Sequence, residues 1–111
     1  MNETQISELV AIFFRRLRLS ADQQMDDVEI ANMEIYIKAG ESYINAVASG
    51  KSIDYTADIG AQDLLYNYCF YARADCTEKF EKAYQSALLQ LRLRALNSMV
   101  EEIAEDGSEE T

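Results

Sequence analysis

Residues 64–76, LLYNYCFYARADC, set Tyr66, Tyr68, Phe70 and Tyr71 within six positions and add Cys69 and Cys76, so four of the chain's eleven aromatic residues fall here. Wound at about 3.6 residues per turn, Ile59, Tyr66 and Phe70 fall along one line. Ala61, Leu65, Tyr68, Cys69 and Ala72 fall along a second, and Leu64 and Tyr71 occupy what remains. A helix apolar all round has to be covered on every side, by its own bundle or by another chain. No alternating run suggests a strand and the chain contains no proline, so the class is all-α.

The same periodicity extends in both directions. Ile6, Leu9, Val10, Phe13 and Leu17 predict an amphipathic first helix over about 4–18, with Arg15, Arg16 and Arg18 in its last turn. Ser20, Asp22 and Asp26 then offer caps, and Glu29 completes a capping-box pattern with Asp26 for a second helix. The stripe of that helix is Ile30, Met33, Ile37, Gly40, Ile44 and Val47, flanked by Tyr36 and Tyr43. Gly40 costs about 1 kcal/mol of helix propensity against Ala, which predicts a close helix crossing there. Gly50 is expected to end the helix as a left-handed C′ residue.

KSIDYTADIG (51–60) has no helical period and leads into the aromatic helix, expected over about 57–74. Thr77, Glu78 and Glu81 suit the first turn of a fourth helix. On it, Phe80, Tyr84, Ala87, Leu88 and Leu91 form one stripe and Leu89, Leu93, Leu96, Val100 and Ile103 another. Two stripes imply two neighbours. The expected architecture is a small bundle of about four helices with a long C-terminal helix, one domain over 1–104, and an acidic, flexible and disordered tail over 105–111.

Charge is unevenly spread. Of the net −10, residues 101–111 supply six negatives, while residues 1–100 hold fourteen acids and ten bases. A mildly acidic body argues against sequence-reading of DNA, which needs a basic footprint. No apolar run approaches the roughly 20 residues needed to span a bilayer, and MNETQISELV lacks a signal peptide's basic start, so the chain is expected to be made in the cytoplasm without a membrane. Its two cysteines then read as reduced thiols; at i, i+7 they share a helical face but stand two turns apart, too far to bridge.

Catalytic signals are missing or imitated. ASGKS (48–52) ends like a phosphate loop, yet the first glycine of that motif would fall at Asn45. DQQMDD lacks the glycine-bearing twelve-residue calcium loop, and its acids suit capping. The chain has no histidine, and two cysteines alone cannot close a tetrahedral zinc site. The expectation is no enzyme, no catalytic residue, no cofactor and no metal. Arg15, Arg16 and Arg18 suit either the negative end of the first helix's dipole or a partner contact. With Tyr71, Leu89, Leu93 and Leu96 they make up the candidate protein interface.

The order of features resembles the phage head–tail connector (adaptor) proteins, which dock beneath the portal of long-tailed phages and prophages. The resemblance lies in EIYIKAGESYINAVASGKSI and AQDLLYNYCFYARADCTEKFEKAYQSALLQLRL and covers about residues 25–96. Many family members carry a proline before the third helix, and DYTADIG has none. The resemblance implies a structural virion protein at the head–tail junction, assembled in the host bacterial cytoplasm. It implies a ring of copies, a dodecamer matched to the portal, with a stopper or tail-completion protein beneath and encapsidated DNA passing through the lumen without specific binding. The alternative from another class is a small acidic helical regulatory protein that binds a basic protein partner, with its tail carrying the affinity.

Overall fold

A computed structural model describes the backbone of residues 1–50 and 52–109, with side chains through Ser98 apart from Lys51. Six helices follow one another: α1 (Glu3–Arg16), α2 (Ala21–Gln24), α3 (Asp27–Val47), α4 (Ile59–Arg73), α5 (Thr77–Ala83) and α6 (Gln85–Glu109). The described residues contain no strand, so the all-α class holds. Two expectations of element number are corrected. The loop after α1 holds the single turn α2, and the expected fourth helix divides at Tyr84, whose backbone (φ −111, ψ 20) leaves helical geometry between α5 and α6. The expected acidic tail falls on residues whose side chains, and at 110 and 111 also the backbone, lie outside the described residues.

Local chemistry explains the helix starts. Asn2 and Gln5 form a reciprocal capping box on α1: the Gln5 N–H donates to Asn2 Oδ1 at 2.8 Å and the Asn2 N–H to Gln5 Oε1 at 3.1 Å. Ser20 and Gln23 repeat the arrangement on α2. Asp26 caps α3 by accepting from the Val28 and Glu29 N–H groups. The Glu29 carboxylate does not return the favour as the capping-box pattern predicts; it lies 3.4 Å from Arg73 at the end of α4 and links the two helices. Asp58 caps α4 through the Ala61 N–H at 3.0 Å.

The helix ends share one device. Arg18 (φ 58), Ser49 (φ 61) and Asp75 (φ 56) are left-handed, and each sits one residue beyond a C-cap. The N–H of the following residue reaches back to close a Schellman motif each time: Leu19 to Phe14 O, Gly50 to Asn45 O, and Cys76 to Tyr71 O. Ser49 therefore holds the C′ position expected of Gly50, which follows it with φ 77. Arg18 stands outside α1, where it reverses the chain.

One core joins the elements. Leu9, Phe13 and Phe14 of α1, Met33, Ile37 and Ile44 of α3, Ala61, Leu65 and Cys69 of α4, Phe80 of α5 and Leu88, Leu91 and Ala95 of α6 are all buried. Each large apolar side chain so enclosed contributes about 1.5–3 kcal/mol. α3 is the central member and packs on α1, α2, α4 and α6. Its closest approach is the one Gly40 predicts: a β-carbon there would stand 2.6 Å from Leu65 Cδ1 and 2.7 Å from Tyr68 Cδ1.

Candidate functional site

The aromatic run of α4 supplies one internal cluster. Tyr68 stacks on Tyr43 of α3 with ring centroids 5.8 Å apart and meets Phe80 of α5 edge-on at 5.4 Å. Tyr71 lies among Phe70, Phe80 and Tyr84 at 5.7, 6.2 and 6.3 Å. Tyr84 stacks on Phe80 at 5.1 Å, so the ring at the α5–α6 break is held from two sides. Burial raises the phenol pKa of Tyr68, Tyr43 and Tyr84, with smaller contributions from Cys69, Glu81 and Tyr71 respectively. Tyr71 is thus half-buried inside the subunit, while Phe70 and Ile59 on the first line of α4 remain exposed.

The three arginines part company. Arg16 donates to Asp63 Oδ1 at 2.9 Å and lays its guanidinium 3.8 Å above the centre of the Tyr66 ring. Tyr66 in turn meets Phe13 edge-on at 5.4 Å, so Arg16 clasps α1 to α4. Arg15 and Arg18 are exposed and form no ion pair among the described residues.

Both stripes of α6 fall where the sequence puts them, as far as the described side chains reach. Leu88, Leu91 and Ala95 are buried, whereas Leu89, Leu93 and Leu96 are 57%, 50% and 38% exposed. Val100 and Ile103 lie outside the described side chains. Met25, just before α3, and Val28 and Ile35 in its first half are exposed as well. The sequence gives no warning of these exposed side chains, because the α3 pattern directs attention to its buried face.

The loop before α4 hides a core residue that the period also misses. Tyr55 is fully buried, its O–H donates to Asn45 Oδ1 at 2.8 Å, and the Gln62 amide donates to its backbone carbonyl at 3.0 Å. Burial, with Glu41 and Asp58 nearby, pushes its phenol pKa well above the ordinary value. A lone aromatic inside an otherwise polar loop was the available signal. Between this loop and α6 opens a cavity of about 350 Å³ lined by Ala48, Ile53, Leu91, Ala95, Arg94 and the acids Asp54 and Asp58. Its carboxylates already have structural duties: Asp54 accepts from the Thr56 N–H and O–H, which lowers its pKa, and Asp58 caps α4.

Cys69 is buried, and desolvation pushes its thiol up to about 12; Cys76 is half-buried, and neither is in a disulfide. Among the described residues no group of three His, Cys, Asp or Glu side chains could hold a metal ion. No helix there is long and apolar enough to cross a membrane. Comparison with family models, with curated proteins and with solved structures finds no match to this chain.

Proposed function

We propose that this chain is a non-enzymatic structural subunit that joins copies of itself into a ring, in the manner of the phage head–tail connectors its sequence resembles. The observation that supports the reading is the second face of α6. Leu88, Leu91 and Ala95 complete the core, while Leu89, Leu93 and Leu96 stay in solvent when the chain is alone. A ring subunit needs an apolar face for its own bundle and others for its neighbours, in a heterologous contact that closes by rotation. In this reading the ring sits at the head–tail junction, beneath the portal and above a stopper or tail-completion protein. A mildly acidic lumen wall lets DNA slide through without being bound through its phosphates.

The test contrasts the two stripes. Leu88→Asp should unfold the subunit, because it strands a charge in the core. Leu93→Asp should leave a folded monomer that no longer assembles on portal rings from the same phage or prophage. Circular dichroism reads the first outcome and light scattering with negative-stain microscopy the second. Wild-type assembly by Leu93→Asp, or no binding of the wild type to the portal, would sink the reading.

A further inference from the structure

α6 carries a second apolar register besides the one that fills the core. Leu89, Leu93 and Leu96 follow i, i+4, i+7, and the sequence continues the series with Val100 and Ile103 at i+11 and i+14. That alternation of four and three is the d and a spacing of a coiled-coil seam, with Leu93 and Val100 at a and Leu89, Leu96 and Ile103 at d. Ser86 and Gly107 stand at the next positions of the register and end it. The helix backbone runs unbroken through the whole series, from Gln85 to Glu109. The buried Leu88 and Ala95 fall at c and Leu91 at f, across the helix from the seam. The subunit thus holds α6 by its back, against α3, and leaves Leu89, Leu93 and Leu96 exposed.

Charge along the helix selects what lies on that seam. Residues 85–98 contain two bases, Arg92 and Arg94, and no acid. Residues 99–109 contain five acids, Glu101, Glu102, Glu105, Asp106 and Glu109, and no base. Two copies of α6 laid parallel would set acids against acids; laid antiparallel, the basic half of each lies along the acidic half of the other. The edges of the seam agree. Of the e and g positions from 90 to 106 only Arg92 and Asp106 are charged, and both are g. Parallel helices put the g edge of one beside the e edge of the other, where Arg92 would find only neutral residues. Reversing one helix puts g beside g, and the two charges oppose. Arg92 is exposed and forms no ion pair among the described residues.

We infer that the free chain pairs with a second copy of itself through an antiparallel, two-fold coiled coil of α6. Leu93 of each copy is layered on Ile103 of the other and Leu96 on Val100, with Arg92 beside Asp106 at both ends. The same surface serves on both copies, so the contact closes at two. Centred on position 98, the pair sets the two cores toward its opposite ends, since each core grips its own α6 at Leu88, Leu91 and Ala95. α3 already holds this part of α6 as helix, which lowers the ordering cost of association. The inference concerns the chain in solution and does not rest on the ring reading; because a ring contact would use the same leucines, the pair has to open before its chains enter a ring.

A charge swap decides it. By size exclusion with light scattering, the chain alone should pass from monomer to dimer as concentration rises, with nothing larger, and the dimer should weaken with added salt. Arg92→Asp should raise the dissociation constant roughly tenfold by setting acid beside acid. Adding Asp106→Arg to it should restore the dimer, because both g pairs re-form with their signs exchanged. Leu93→Asp should remain monomeric. Circular dichroism checks that each variant is folded; should Leu93→Asp unfold, the charge swap still decides, since neither of its positions belongs to the described core. A wild type that is monomeric at every concentration overturns the pairing. So does growth beyond the dimer, association strengthened by salt, or a double variant no tighter than Arg92→Asp. A monomeric chain that still builds rings on a portal would leave the ring reading standing and remove this one. A dimer from a chain that never binds a portal would do the reverse.

Discussion

Gly40 lies so close beneath Tyr68 that a β-carbon at that position would come 2.7 Å from the ring's Cδ1. Leu65 Cδ1 is as near, but it is the end of a flexible chain and can turn aside. The Tyr68 ring has less freedom, since it is stacked on Tyr43 and set edge-on against Phe80. Gly40→Ala gains about 1 kcal/mol of helix propensity and meets an overpacking cost of about 1–3 kcal/mol. Net destabilisation of up to about 2 kcal/mol is expected from the urea midpoint. An unchanged or higher midpoint would mean that the ring swings away without loss.

Tyr55 should separate ring burial from hydrogen bonding. Tyr55→Phe keeps the ring and removes the donor to Asn45, for a loss of about 1 kcal/mol. Tyr55→Ala empties a fully buried site and should lose about 3–5 kcal/mol. Thermal melts of the two variants side by side give the comparison. Equal losses would place the whole contribution in the hydrogen bond.

Alkaline pH should weaken the fold, and the sign follows from two groups that are neutral when protonated. In the folded chain the Cys69 thiol is pushed up to about 12 from an ordinary 9.0, and Tyr55 is raised above its ordinary 10.0. The unfolded chain loses those protons first, so stability is fully present below pH 9 and falls as pH rises. The Cys69 share is lost between about pH 9 and 12, at up to about 1.4 kcal/mol per pH unit. Denaturant midpoints from pH 8 to 11 should fall, and Cys69→Ala should flatten the curve between pH 9 and 10. In native buffer iodoacetamide should label Cys76 before Cys69; simultaneous labelling would contradict the burial of Cys69.

The arginines should respond separately. Arg16→Glu breaks the Asp63 bridge and the Tyr66 contact, and a loss of about 1–2 kcal/mol is expected for this partly exposed pair and its cation–π partner. Arg15→Glu and Arg18→Glu should each change the melting midpoint little. Reversing all three together would therefore confuse folding with assembly. The paired Arg15→Glu, Arg18→Glu chain is the cleaner probe of a partner contact, and a large fall in its own midpoint would show that these side chains serve the fold.

Helix period carried most of the architecture. The buried Ile6, Leu9, Val10 and Phe13, the Gly40 crossing and the inner and outer sides of α6 all follow from spacing, because a helix repeats its faces predictably. The departures are local. Tyr84 breaks the last helix although nothing in its residue type forbids helix, and its ring is gripped by Tyr71 and Phe80. Arg18, Ser49 and Asp75 take left-handed positions that glycine would favour; Gly50 marked the α3 end to within one residue, and no glycine marks the other two. Tyr55 lies outside any period, and its burial depends on Asn45 and Gln62 from other elements. Of the candidate surfaces, the α6 leucines were legible. The exposed Val28 and Ile35 were not, since a pattern search registers the apolar residues that share a buried face and passes over those opposite it.

Because α3 is the member on which α1, α2, α4 and α6 all pack, the order in which the chain folds is constrained. α1 or α6 can gain little tertiary stabilisation until α3 offers a surface, whereas α3 and α4, crossing at Gly40, can stabilise each other with neither present. The transition state for folding should therefore be centred on the α3–α4 pair. Substitutions at Ile37 or Leu65 would slow folding, while those at Leu9 or Leu91 would chiefly speed unfolding.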